Sequence, residues 1–247
     1  MSNKKRIKKK SVDENIKNHL TKQAKRAFKD SSQIDFDHAV KTFKRMNIAT
    51  SLALEASLKN KTSQSLVALM IEVYDEIERS FRNMQEQIGK RVTCKAGCYY
   101  CCYQKIGITM PEFLVIDSVI KNSDVLPINK DKIMGSTIVS IHDNEWKYFG
   151  DPCGFLDRNI CTIYPVRPLM CRAWHVFNSS ENCRKKYLEK EDCDEIYTDL
   201  IFHCGVIQES ITYICLKFKL TGFIQLEKAM IHSFQNNIFQ DWINKKI

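Results

Sequence analysis

Apolar positions along the chain recur at two kinds of step. From Ser65 onward Leu66, Met70, Val73, Ile77, Phe81, Met84 and Ile88 follow one another at three- and four-residue intervals, while Glu72, Asp75, Glu76, Arg79 and Arg82 fill the opposite face. That spacing predicts an amphipathic helix. A weaker stripe of Phe36, Val40, Phe43, Met46, Ile48 and Leu52 predicts a second helix over 34–59, so 33–92 reads as a helical pair with a supporting role. Thr109-Met110-Pro111-Glu112 sets a hydroxyl three residues before a carboxylate with Pro in the first turn, and Phe113, Leu114, Ile116, Val119 and Ile120 follow. This is the signature of a capped helix start. Helical periodicity returns over about 196–220 and again over 224–243. Cys193, Cys204 and Cys215 are spaced by 11, three helical turns, and read as one buried face of a long helix.

Between these stretches the pattern changes. Cys153 to Tyr164 places Asp157-Arg158-Asn159 between two short apolar runs, which predicts a hairpin bringing Cys153 and Cys161 together. Residues 121–152 carry Asn, Asp and Gly signals and an amphipathic stretch at 133–141, without a firm element. The expectation is a mainly α protein with an irregular cysteine-rich centre at 93–190 and C-terminal helices at 191–247 packed on the same body.

With 247 residues, 44% hydrophobic and 27% charged, the chain can bury a sizeable core. The longest apolar run, Leu66 to Ile71, is too short to span a membrane. Residues 1–30 hold 11 Lys and Arg against Asp13, Glu14 and Asp30, a net +8 of the total +9. A solvated, disordered tail over 1–32 is the plain reading; contact with nucleic acid or an acidic partner is the functional one. No aromatic residue precedes Phe28 on which a base could stack. The polar run Ser11 to Asn18 stands where a signal peptide needs an apolar segment, so a reducing cytoplasm is the expected setting. There the 11 cysteines point to metal binding, redox chemistry or burial rather than disulfides.

Cys94, Cys98, Cys101 and Cys102 place four thiols within nine residues, followed by Cys153, Cys161, Cys171 and Cys183 at wider spacing. Short loops let thiolates reach one metal ion at about 2.3 Å, and distant cysteines then close the shell. The first four also fall on one helical face, but Gly97 interrupts a helix there. A vicinal pair cannot easily chelate one tetrahedral ion, so Cys101 and Cys102 serve different sites, or one of them is a packing or redox thiol. Eight thiols allow two four-thiolate sites or one cluster with spares, and both zinc and iron–sulfur clusters accept four thiolates. Arg167 and Arg172 around Cys171 are candidate charge compensators behind such a site, or ordinary ion-pair partners of Asp or Glu. His175, four residues after Cys171, is a candidate ligand or a structural histidine, with His203 and His142 weaker candidates; Tyr164 and Trp174 are expected to pack around the site.

The ordered set, Cys94-x3-Cys98-x2-Cys101-Cys102, Thr109 to Glu112, Cys153-Gly-Phe-Leu-Asp, Cys161-Thr-Ile-Tyr164 and Arg167-Pro168-x-x-Cys171-Arg172, resembles the YkgJ-type cysteine cluster proteins, described as zinc- or iron-chelating. The resemblance runs from about Cys94 to Cys183 and implies metal chelation by those eight cysteines. The first spacing is three residues where many members have two. Two other functions compete. Flagellin lysine N-methylases look like relatives, and Cys94-x3-Cys98-x-Tyr100-Cys101 is similar to the three-cysteine pattern of radical S-adenosylmethionine enzymes, although no barrel of alternating strands and helices is in view. A zinc-stabilised nucleic-acid-binding module would use the basic arm for phosphates.

Overall fold

The computed structural model describes residues 2–28, 32, 34–88, 92, 94, 97–122, 130–135, 151–176, 179–185 and 198–247, with the backbone alone for 2–11, 87 and 88. Its helices are α1 (Ser2–Ala27), α2 (Phe36–Asn60), α3 (Gln64–Ile88), α4 (Met110–Asn122), α5 (Lys130–Met134), α6 (Leu169–Ala173), α7 (Glu181–Arg184), α8 (Thr198–Lys217), α9 (Leu226–Gln235) and α10 (Ile238–Ile243). Two antiparallel pairs join β1 (Gly107–Thr109) to β4 (Phe223–Gln225) and β2 (Leu156–Asp157) to β3 (Ile160–Cys161). The protein is mainly α, with the irregular cysteine-rich stretch between α3 and α8.

The stripe on α3 is buried as its spacing predicts, with Leu66, Met70, Val73, Ile77 and Met84 all turned inward. In α2 the outcome differs. Val40, Phe43 and Met46 face inward, but Ile48 and Leu52 are 65% and 62% exposed, and Thr50, Leu54 and Ser57 take the inner positions. The buried line through Val40, Phe43, Thr50, Leu54 and Ser57 alternates three-, four- and seven-residue steps along the face turned to α8. Asp35 caps α2 by accepting from the His38 amide at 3.0 Å.

The basic segment expected as a disordered tail is helix α1 instead. Leu20 and Ala24 are fully buried in a small second core with Ile34, Val40, Phe43, Phe202 and Val206. Lys17–Asp37 and Lys44–Asp13 ion pairs, both at 2.6 Å, hold α1 along α2. The two apolar residues spaced by four were outvoted in the sequence by the charge around them.

The long C-terminal helix expected over 224–243 is also corrected. Ile224 pairs with Ile108 in the β1–β4 ladder, and Asn236–Asn237 break the remainder into α9 and α10, with Asn237 capping α10 through Gln240 N. The main core lies between α3, α4, α8, α9 and α10 and includes Phe113, Phe155 and Trp242. Cys204 and Cys215 are fully buried on α8, as a packing role requires, whereas Cys193 and the stretch 136–150 with His142 lie outside the described residues. Among the described residues no helix is long and apolar enough to cross a membrane.

Candidate metal centre

Four chain segments bring the candidate thiols together, and each is fixed by a local device. Gly97 adopts φ +90° in the turn between Cys94 and Cys98, a left-handed conformation that a side chain would strain. A 3₁₀ turn over Tyr100–Tyr103 then carries Cys101 and Cys102. The Cys153 amide donates to the Cys102 carbonyl at 2.7 Å, seating the Cys153 segment directly on that 3₁₀ turn. The hairpin β2–β3 turns through Arg158 and Asn159, both at positive φ (45° and 64°), the twist that a two-residue turn between right-twisted strands needs. It sets Leu156 opposite Cys161.

The fourth segment is α6, which carries Cys171, and it is anchored by Glu112. Pro168 precedes α6 and offers no side-chain oxygen to cap it, so the Leu169 amide donates to Glu112 Oε1 at 2.8 Å. The same carboxylate takes the Thr109 amide and hydroxyl, each at 2.8 Å, and Gln208 Nε2 at 2.9 Å, while Glu112 N approaches Thr109 Oγ1 at 3.4 Å. The capping box predicted at Thr109–Glu112 is therefore present, and its carboxylate also ties α4, α6 and α8 at one fully buried point. Burial raises the Glu112 carboxyl above the usual range, opposed by its amide and hydroxyl donors.

The thiols fall into two groups. In the first, Cys94 neighbours Cys98, Cys183 and the Val176 backbone. Cys101 and Tyr100 pack on this group beside buried Cys183 and Val176. The Cys183 contact pushes the Cys94 thiol up to about 11, and the Cys94 contact pushes Cys98 up as well. In the second group burial is the leading cause that raises Cys153, Cys161 and Cys171, with Cys153 pushed up to about 12; Cys161 adds to Cys153, and Cys153 and Cys161 add to Cys171. The vicinal pair straddles the two groups. Its two thiols act on each other first, Cys101 lowered and Cys102 raised, and Cys101 feels Cys98 on one side while Cys161 and Cys171 feel it on the other.

Charge around the second group is arranged in layers. Arg172 is 5% exposed and donates to Glu78 Oε1 at 2.6 Å, to the Arg167 carbonyl at 2.9 Å and to the Pro165 carbonyl. Arg167 also reaches Glu78, at 3.3 Å, and lies over the Tyr164 ring at 3.9 Å from its centroid. Both arginines thus have an acidic partner, and Arg167 in addition pulls down the Cys101, Cys161 and Cys171 thiols. A buried Lys105–Glu227 pair at 3.3 Å flanks Cys153, its carboxylate steadied by Gln225 Nε2 at 3.0 Å. Glu78, Glu227 and Lys105 carry no spacing signal in the sequence; only the fold assigns them.

His175 does not share a helical face with Cys171, because α6 ends at Ala173 and Trp174 is extended. Its ring stacks on Phe81 with centroids 3.8 Å apart, burial holds its pKa down to about 4, and Nδ1 is buried without a partner among the described residues. Tyr164 lies under Arg167, and Trp174 packs on the main core.

The donor set suits a soft or borderline metal in kind: eight cysteines in two neighbouring groups, positive charge behind one of them, and an orphaned imidazole nitrogen nearby. Among the described residues, however, no three His, Cys, Asp or Glu donors converge as a metal ion requires. The kind of donor fits a metal; the arrangement of the side chains is not that of a closed site. Residues 93–194 match the family model CxxCxxCC, described as "Putative zinc- or iron-chelating domain". No curated protein and no solved structure matches the chain.

Proposed function

We propose that the protein holds two adjacent thiolate-bound metal centres, a reading supported by the match of residues 93–194 to the CxxCxxCC chelating-domain model. Cys94, Cys98, Cys101 and Cys183 form one set, and Cys102, Cys153, Cys161 and Cys171 the other. The observation that supports this reading is at the vicinal pair: Cys101 packs on the Val176–Cys183 cluster, whereas the Cys102 backbone carbonyl accepts from the Cys153 amide. Assigning the two adjacent cysteines to different centres would resolve the difficulty of chelating one ion with both. A bound zinc ion or iron–sulfur cluster would supply a multiply charged centre that holds the loops together. This chain's own residues deliver thiols, release their protons on binding, and set Arg167 and Arg172 behind the second set against its negative charge.

The chemical role is chelation. Neither the fold nor the family match supports S-adenosylmethionine binding, lysine methylation or nucleic-acid binding, and no such activity is assigned.

Anaerobic purification followed by elemental analysis for zinc, iron and acid-labile sulfide tests the reading. Cys98→Ser should remove metal from one set and Cys171→Ser from the other, each leaving about half the native content, while Cys204→Ser on α8 changes nothing. Loss of all metal in either single variant would replace two centres by one. A metal-free protein in every preparation would overturn chelation itself.

A further inference from the structure

A groove of about 610 Å³ lies between α3 and the turn at Tyr164 and Pro165, with Arg167 and Arg172 in its lining. Its α3 wall is Asp75, Glu78, Arg79 and Arg82, positions three and four residues apart and therefore on one face of the helix. With Arg167 and Arg172 the lining holds four guanidinium groups against two carboxylates, a formal excess of +2.

The excess is not spread evenly. Glu78 is the helical i−4 neighbour of Arg82 and would ordinarily pair with it. Here Glu78 Oε1 is taken by Arg172 at 2.6 Å and Arg167 at 3.3 Å. Arg82 is left without an ion pair or hydrogen bond among the described residues, and so is Arg79, although Asp75 stands one turn before it. The other two arginines are rigid: Arg172 is held by three acceptors and lies over Tyr74, and Arg167 lies over Tyr164. Two exposed, unpaired forks therefore face two preorganised ones across a cavity large enough for a small metabolite.

We propose that this groove binds a small phosphomonoester, its phosphate held by Arg79 and Arg82 with Arg167 at the base. A phosphate dianion matches the +2 lining, and its three terminal oxygens can accept from two planar forks at once. Asp75, also unpaired among the described residues, is the acceptor for a hydroxyl or amine on the organic part. The site needs no metal, although it shares Arg167 and Arg172 with the charge compensation proposed for the second thiol set.

Calorimetric titration of the full chain at fixed ionic strength tests it, with glycerol 3-phosphate and inorganic phosphate as probes and citrate and sodium chloride as comparisons. Saturable binding of either phosphate probe is expected. Tighter binding of the ester makes the organic part a contributor, and equal binding makes phosphate alone the determinant; both support the site. Arg79→Ala with Arg82→Ala should weaken binding about tenfold or more, Arg79→Lys with Arg82→Lys by less, and Lys22→Ala with Lys25→Ala on α1 not at all. Because Arg79 and Arg82 are exposed, the far-UV spectrum and metal content of the double variant should match the native chain. Absence of saturable phosphate binding, unchanged affinity in the Arg79/Arg82 variant, or citrate binding more tightly than both phosphate probes would overturn the proposal.

Discussion

At the scale of single residues the molecule concentrates buried polar groups where segments meet. Glu112 is the clearest case: one carboxylate accepts from four donors on three parts of the chain. His203 is the opposite case, a half-buried ring with little to hold a charge. It stacks on His38 at 4.9 Å, and burial together with the neighbouring His38 and Arg45 holds its pKa down to about 4, with Glu76 opposing. Arg45 and Glu76 are themselves paired at 2.7 Å, so that carboxylate is already committed. The folded protein binds a proton here less readily than the unfolded chain, whose histidine titrates near 6.5. The stability from neutral His203 is therefore present above about pH 6.5 and lost as the pH falls toward 4, at up to about 1.4 kcal/mol per pH unit. His175, also held down to about 4, adds a slope of the same sign. Urea unfolding of the native chain and of His203→Phe, which keeps a ring on His38, should show the shallower acid slope in the variant. Parallel curves would place the acid sensitivity elsewhere.

At the scale of elements the hairpin shows what a short sequence pattern can and cannot specify. Its position was legible from Asp157-Arg158-Asn159 between apolar runs, and β2–β3 forms there. Arg158 at positive φ makes the turn more costly than it needs to be, by up to about 1–2 kcal/mol, whereas Asn159 tolerates that region. Arg158→Asn with Asn159→Gly should raise stability by about 0.5–1 kcal/mol, read from the denaturant midpoint, with metal content unchanged. A lower midpoint would mean that the exposed Arg158 side chain contributes more than the turn strain. The β1–β4 pair was not legible, because three-residue strands separated by more than a hundred residues leave no periodic trace and Ile224 fits a helical stripe equally well. The same ambiguity explains Ile48 and Leu52, which continue the α2 stripe in sequence but lie outside the groove that α8 covers. The thiol positions were legible because close cysteine spacing is rare. Their division into two groups was not, since it depends on Val176, Cys183 and the Cys153–Cys102 backbone bond, all set by the fold.

At the scale of the whole molecule the described residues form one main core and two smaller clusters, and the cysteine-rich centre leans on the main core and on the Val176–Cys183 cluster but not on the one beneath α1. Cys153, Cys161, Met170 and Trp174 pack against the main core, whereas α1 contributes Leu20 and Ala24 to the smaller cluster with Phe202 and Val206. No candidate metal ligand belongs to that smaller cluster. Deleting residues 1–28 would uncover Val40, Phe43, Phe202 and Val206 and cost the burial of Leu20 and Ala24, about 3 kcal/mol together. For a chain of this size that corresponds to a fall in melting temperature of about 6–12 °C. The truncated chain should keep its α-helical far-UV spectrum and its native metal content per chain, because the thiol groups and the Glu112 junction are untouched. It should also lose solubility, since residues 1–30 carry most of the net positive charge and the surface they cover is apolar. Loss of metal on truncation would instead show that the thiol centre depends on the smaller core through α2 and α8, which line both.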